Sequence, residues 1–583
     1  MKKYFALAGL AIAVASCDFS DYILEQDYDF TTTFEKSGGT ETATYQQVID
    51  FYEDLAAVYS EVSLETVGET DSGEPLHLAL FNPGGDFDIS QLRQTKTIML
   101  ILNGIHPGES DGIDATMMLF RDLAQDSIVV PENVVIATIP VYNVGGALNR
   151  NSFTRTNQNG PKSYGFRGNA RNYDLNRDFI KADTRNTRSF YEIFHRLNPD
   201  VLIDTHVSNG ADYQYTLTHL FTQHNKLGGE PGKYLNQSLM PALVDSLGQK
   251  GLEITPYVNV FNEVPEKGFS QFLDTPRYST GYAALWNTFG MMIETHMLKP
   301  YPKRVWGTYE LLRSMIGLVD HEAEKIRRLR SEAVLEFPKE SNFAFDFEVD
   351  STRSSTLEFL GYHAEIVESE VTGLERLQYD TTKPFKKEIV YYDQFKPTKE
   401  VAVPRAYVVR QAWWPVLEIL KLNGVEMKEF SKDTLIAAEV YRIEDYKTRN
   451  RAYEGHYPHY DTRVSSSRQK IRVEKGDFLI SLDQPAARYL MSTLEPEAPD
   501  SFFNWNFFDS ILQQKEGFSP YVFEDIAREI LDDYPALEEE FLAKREKDPN
   551  FASDAYAQLE WIHRRSEHYE TAHLRYPVFR ILR

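Results

Sequence analysis

Only one cysteine, Cys17, occurs among the 583 residues. An intramolecular disulfide is therefore impossible, and so is a zinc cluster built on thiolates. Basic residues are outnumbered too: 62 Lys and Arg stand against 87 Asp and Glu, a formal net charge of −25. No Lys/Arg cluster forms the concentrated positive face that phosphates need, which excludes nucleic acid as a partner. No internal repeat of fixed period is visible. Apolar material, by contrast, is plentiful. Hydrophobic residues make up 42% and aromatic residues 13% of the chain, enough for substantial cores, so disorder of the whole chain is excluded. The length allows about four domains, or two or three larger ones.

The N-terminus opens with Lys2 and Lys3, followed by an apolar run from Tyr4 to Ala15. A short basic region before an apolar stretch of this length reads as an export signal, too short for a permanent membrane span. The string Val14-Ala15-Ser16-Cys17 resembles the lipobox of bacterial lipoproteins. That resemblance implies cleavage after residue 16, a lipid anchor on Cys17 and a place in the bacterial cell envelope, periplasm-facing or on the cell surface. Residues 17–45, rich in Thr, Asp, Tyr and Gly and without sustained periodicity, read as a tether.

From residue 46 to about 300 the texture is that of an α/β domain. Leu76–Asn82, Thr97–Leu102, Asn133–Asn143, Asp200–His206 and Gly290–His296 are strand-like apolar runs, and Gly112–Leu123 has helical spacing. The expected fold is a mixed, largely parallel sheet flanked by helices, with its site where strands end and loops begin. Residues 301–338 read as a charged connecting helix. Residues 339–583 read as a β-rich region to about 490, then a helical, aromatic tail. The aromatic runs Phe502–Phe508 and Trp413-Trp414 are expected to pack rather than bind.

The chemistry begins where the strand Thr97–Leu102 runs into Asn103–Ser110. His106 and Glu109, three apart on that loop, can chelate one metal ion and leave a third ligand to come from far along the chain. His206, at the end of another apolar strand, is the obvious third. Three protein ligands suffice for a catalytic zinc, whose fourth position must hold water. Arg167, Asp174, Asn176 and Arg177 crowd one short segment, and Glu294 stands near the end of an apolar strand where a general base could sit. Two other motifs are weaker. His321-Glu322 begins like an HExxH helix, but the position four after His321 is Lys325; Tyr453–Tyr460, with His456 and His459, reads as an aromatic packing patch.

His106-Pro107-Gly108-Glu109, then Arg167 with Asp174-Leu175-Asn176-Arg177, then Asp204-Thr205-His206, then Glu294 follow the order of the carboxypeptidase A-type zinc metallocarboxypeptidases. The chain resembles that family over about residues 46 to 300. Tyr142–Gly146 also falls where the family often has Asn-Pro-Asp-Gly, although Pro and Asp are replaced. The resemblance implies one zinc ion per chain on His106, Glu109 and His206. It further implies that Asp174 orients the His106 ring, and that Asn176 and Arg177 grip a substrate carboxylate. Arg167 would polarise the scissile carbonyl, and Glu294 would act as general base. The family's mobile tyrosine falls on Tyr282 or Tyr278, with Tyr282 slightly favoured.

The expected activity is zinc-dependent removal of C-terminal residues from peptides or amino-acid amides carrying a free carboxylate. A related zinc amidohydrolase acting on N-acyl amino acids or murein peptides is the alternative, because the Asn-Arg pair would serve a carboxylate there too. A non-catalytic binding lipoprotein on the same scaffold is the third possibility. The intact set Glu109, His206, Glu294 and Arg177 weighs against it.

Overall fold

A computed structural model describes residues 28–582. The expected export signal and the expected lipid-anchor site at Cys17 lie outside the described residues. Eight strands build the main sheet: β1 (Val62–Glu69), β2 (Pro75–Phe81), β3 (Thr97–Leu102), β4 (Val134–Ile139), β5 (Val201–Ser208), β6 (Leu217–Phe221), β7 (Ile254–Pro256) and, after a two-residue β8 (Phe269–Ser270), β9 (Phe289–His296). Their spatial order is β1-β2-β4-β3-β5-β9-β6-β7. The centre of the sheet, β4-β3-β5-β9, is parallel throughout. Antiparallel pairs flank it on both sides. Every residue of β3 and β4 is buried. Strands covered on both faces read as unbroken apolar runs, which is why Thr97–Leu102 is visible from composition alone.

Two expected boundaries move. Residues 28–45 were expected within the tether, yet Phe30 and Phe34 are buried in the main core. Thr32 and Glu35 form a capping box on a helix of 4 residues, Thr33–Lys36, and Glu35 pairs with Arg121 at 2.7 Å. A helix that short leaves no periodicity to read.

The expected connecting helix is two helices, Tyr301–His321 and Ala323–Glu336, both packed on the α/β domain. Their charges misled because two of the arginines are internal. Arg304 is buried against Asp111 at 2.9 Å, and Arg330 pairs with Asp200.

The C-terminal region is β-rich and then helical, as expected, but the two parts are not serial. A hairpin of Ser355–Glu368 and Glu375–Tyr392 adds β8 of the first domain as its third strand. A 6-stranded sheet holds Ala406–Val409 at its centre beside Val578–Ile581, which returns from the end of the described chain. Phe502, Phe503, Trp505 and Phe508 are buried in the same continuous core as the main sheet, in line with a packing role. Trp413 packs on Phe508, whereas Trp414 is 66% exposed and departs from that expectation. Among the described residues no helix is long and apolar enough to cross a membrane.

Candidate metal centre

The parallel strands β3, β5 and β9 bring their C-terminal ends to one edge of the sheet, where open α/β sheets place their sites. The loop after β3 carries His106 and Glu109 into the helix Asp111–Ala124; β5 carries Asp204 and His206; β9 carries Glu294, in register with His206. Gly112 lets the helix start this close to β5. A Cβ there would stand 2.0 Å from Thr205 Oγ1. Asn143 ties the neighbouring loops together, donating to the carbonyl oxygens of Ile105 and Arg167 and accepting from the Gly146 N–H.

His106, Glu109 and His206 are all buried, and one ligand atom from each lies within 4.8 Å of the others. Glu109 Oε1 is 3.2 Å from His106 Nδ1, and Oε2 is 2.9 Å from His206 Nδ1. The outer nitrogen of each ring meets a second carboxylate. His106 Nε2 lies 2.9 Å from Asp174 Oδ1, and His206 Nε2 lies 2.9 Å from Asp204 Oδ2. An Nε2–H donated to a carboxylate leaves the Nδ1 lone pair turned inward, which is how metal-binding imidazoles are oriented and made more basic. The donor set therefore fits a metal ion of borderline softness with one position left over.

Charge is balanced locally. Burial pushes the Glu109 carboxyl up, but His106, Arg155 and His206 outweigh it and hold the group well below the usual carboxylate range. Arg155 Nη2 donates to Glu109 Oε1 at 2.7 Å. Asp174 is likewise lowered, with His106 and Arg167 overcoming the cost of burial. Arg167 grips Asp174 Oδ2 through Nε and Nη2, and its Nη1 stands 3.7 Å from Glu109 Oε1. Glu294 is the opposite case: burial pushes its carboxyl up to about 8, with His206 and Arg167 pulling against the shift.

Asn176 is buried. Its Oδ1 accepts from the Ser279 N–H, and its Nδ2 lies 3.4 Å from His206 Nε2. Arg177 lies 4.4 Å over the ring of Tyr278 and donates to the Asn176 carbonyl. Tyr282, the favoured mobile tyrosine, is fully buried. Its hydroxyl donates to Asn423 at 2.6 Å, and its ring stacks on Tyr191 within a cage of Phe179, Phe190 and Phe194. A side chain so enclosed cannot swing over a substrate, which departs from the expectation for Tyr282; Tyr278 is the one that stands beside Arg177.

Sequence reasoning missed Arg155, Asp204 as the His206 partner, and Ser279, whose Oγ donates to Asp204. Only Asp204 carried a signal: positions two apart on a strand share a face. Beside the His106, Glu109 and His206 cluster opens a cavity of about 510 Å³, lined by polar groups such as Arg155, Gln158 and Arg167 and by the apolar side chains of Phe166, Val207 and Met297.

No family model matches the chain. The carboxypeptidase 2 of Trichophyton rubrum is 20% identical over 418 residues, covering 68% of this chain and 72% of that protein. Its counterpart in Trichophyton tonsurans is 21% identical over 423 residues, with the same coverage. Among solved structures, the carboxypeptidase A of Helicoverpa armigera shares 13% identity at a TM-score of 0.36, covering 48% of this chain and 74% of that one. The chain is thus similar to curated carboxypeptidases over about two thirds of its length, and it brings His106, Glu109 and His206 together in a cluster that could hold a metal ion.

Proposed function

We propose that the protein is a zinc-dependent carboxypeptidase that removes residues from the C-termini of peptides. The observation that carries this reading is the buried His106, Glu109 and His206 cluster, in which both imidazoles turn one nitrogen inward and give the other to a carboxylate. Zinc would be held by those three residues, and when bound it supplies the Lewis acidity that polarises a carbonyl and activates water at neutral pH.

The chain's own groups do the rest. Arg177 anchors the free carboxylate of the substrate, with Tyr278 stacked on its guanidinium. That anchorage places a bond near the C-terminus beside the ligand cluster and converts binding into orientation. Arg167, fixed on Asp174, directs its Nη1 toward the cluster and steadies the negative charge that develops on the carbonyl oxygen. Glu294 takes a proton from the attacking water and passes it to the leaving amine. Its burial makes it a stronger base than an exposed carboxylate. Export and lipid anchoring at Cys17 belong to the same proposal, on the strength of Val14–Cys17.

Stripping the protein with a chelator is expected to abolish cleavage of a peptide with a free C-terminus, and one equivalent of zinc per chain should restore it. Cleavage that persists in metal-free protein would contradict the assignment.

A further inference from the structure

The turn from Tyr453 to His456 belongs to the C-terminal region, yet it sits on the loop that carries Asp174. Glu454 Oε2 accepts a hydrogen bond from the Asp174 backbone N–H at 2.8 Å, across 280 residues of chain. Several contacts fix the turn in that place. Glu454 and Gly455 are both left-handed, at φ 48° and 79°, and Tyr453 bridges to His456. Gly455 passes so close to Tyr173 that a Cβ would stand 2.5 Å from the hydroxyl oxygen, an approach only glycine permits. His456 Nε2 pairs with Asp183 at 2.8 Å. On the far side Tyr453 stacks on Trp505, and Arg277 lies over both rings, 5.6 and 5.0 Å from their centroids. Arg277 is itself held by Asp500.

Asp174 is the branch point of the metal centre, since one oxygen holds His106 Nε2 and the other holds Arg167. Its side-chain direction depends on where its backbone sits. The N–H that sets that backbone is given to Glu454. We infer that Glu454 is a positioning residue for the metal centre: by fixing the Asp174 backbone it fixes the carboxylate that orients His106, so the C-terminal region completes the site. This inference rests on the reading of His106, Glu109 and His206 as metal ligands.

The test titrates zinc against a competing chelator in the full-length chain, comparing wild type with Glu454→Gln, Glu454→Asp and Glu454→Ala. Gln keeps an acceptor oxygen at the same reach and loses the charge. Asp keeps the charge and withdraws the acceptor by one methylene. Zinc affinity is expected to stay close to wild type in Glu454→Gln and to fall about tenfold in Glu454→Asp and Glu454→Ala, the lower end of what outer partners of a ligating histidine contribute. Equal affinity in all four proteins overturns the inference. So does an affinity that follows charge, with Asp like wild type and Gln like Ala. If the alanine variant does not fold, the Gln and Asp comparison decides alone. A wild-type protein that takes up no zinc brings down the underlying ligand reading first, before any variant is compared.

Discussion

Glu294→Gln is expected to bind zinc as the wild type does and to lose about 10³-fold in kcat, within the range that a positioned proton-transfer group contributes. The two halves of that expectation have separate causes. Metal uptake is spared because the ligand cluster consists of His106, Glu109 and His206, and Glu294 stands beside it on the neighbouring strand, in register with His206. Turnover collapses because glutamine is close in shape but cannot accept a proton. Among the described residues no hydrogen bond or ion pair engages the Glu294 carboxylate, and burial together with the nearby Glu109 and Asp204 charges raises it against the attraction of His206 and Arg167. A base left unsatisfied in this way is strong, and its removal should not be compensated by a neighbour. Retention of more than a tenth of wild-type kcat would place the base elsewhere. Loss of zinc along with activity would show that Glu294 belongs to the ligand set.

Arg177→Ala should remove the preference for a free C-terminus. The guanidinium lies 4.4 Å over the Tyr278 ring, and its one intramolecular hydrogen bond among the described residues goes to the Asn176 carbonyl, leaving further donors for a carboxylate. Truncating one side of a desolvated charge pair costs about 2–5 kcal/mol, a factor of about 30 to several thousand in kcat/KM. The loss should fall on peptides ending in a carboxylate. C-terminally amidated peptides, poor substrates for the wild type, should change little. An equal loss on both would assign Arg177 to the packing of Tyr278 instead of to recognition.

The cluster that could hold a metal was legible in the sequence because its members stand at or just beyond the ends of apolar strands. Such strands are largely buried on both faces, and composition alone marks them: β3 leads to His106, β5 carries His206 near its C-terminal end, and β9 carries Glu294. The arginines around the ligands were less legible. Arg167 sat in a visible cluster, but Arg155 reaches Glu109 across 46 residues with no motif to announce it. Tyr278 and Tyr282 lie four apart, one helical turn. What separates them is the helix Ser279–Ala284, which carries Tyr282 into an aromatic cage and leaves Tyr278 at its N-terminal end beside Arg177. Pattern cannot see that choice, because the cage comes from Tyr191, Phe194 and Asn423, distant in the chain.

The C-terminal region was the least legible part. Its strands were foreseen from β-branched and aromatic content, but the contact that ties it to the site depends on one carboxylate of a tight turn. The turn's own sequence, rich in tyrosine and histidine, advertises packing. The packing is real, with Tyr453 on Trp505 and His456 on Asp183, and it is also what delivers Glu454 to the metal centre.

The central claim is a metal-dependent C-terminal peptidase, and a mixed peptide library tests it most directly. Protein from Asp18 onward is incubated with the library, and mass spectrometry scores every new end. Successive loss of residues from the C-terminus is expected, abolished by a chelator and by Glu294→Gln. Zinc bound without any such trimming would contradict it and move the activity to N-acyl amino acids or murein peptides, while a chain that neither binds zinc nor trims peptides would leave a binding protein on a peptidase scaffold.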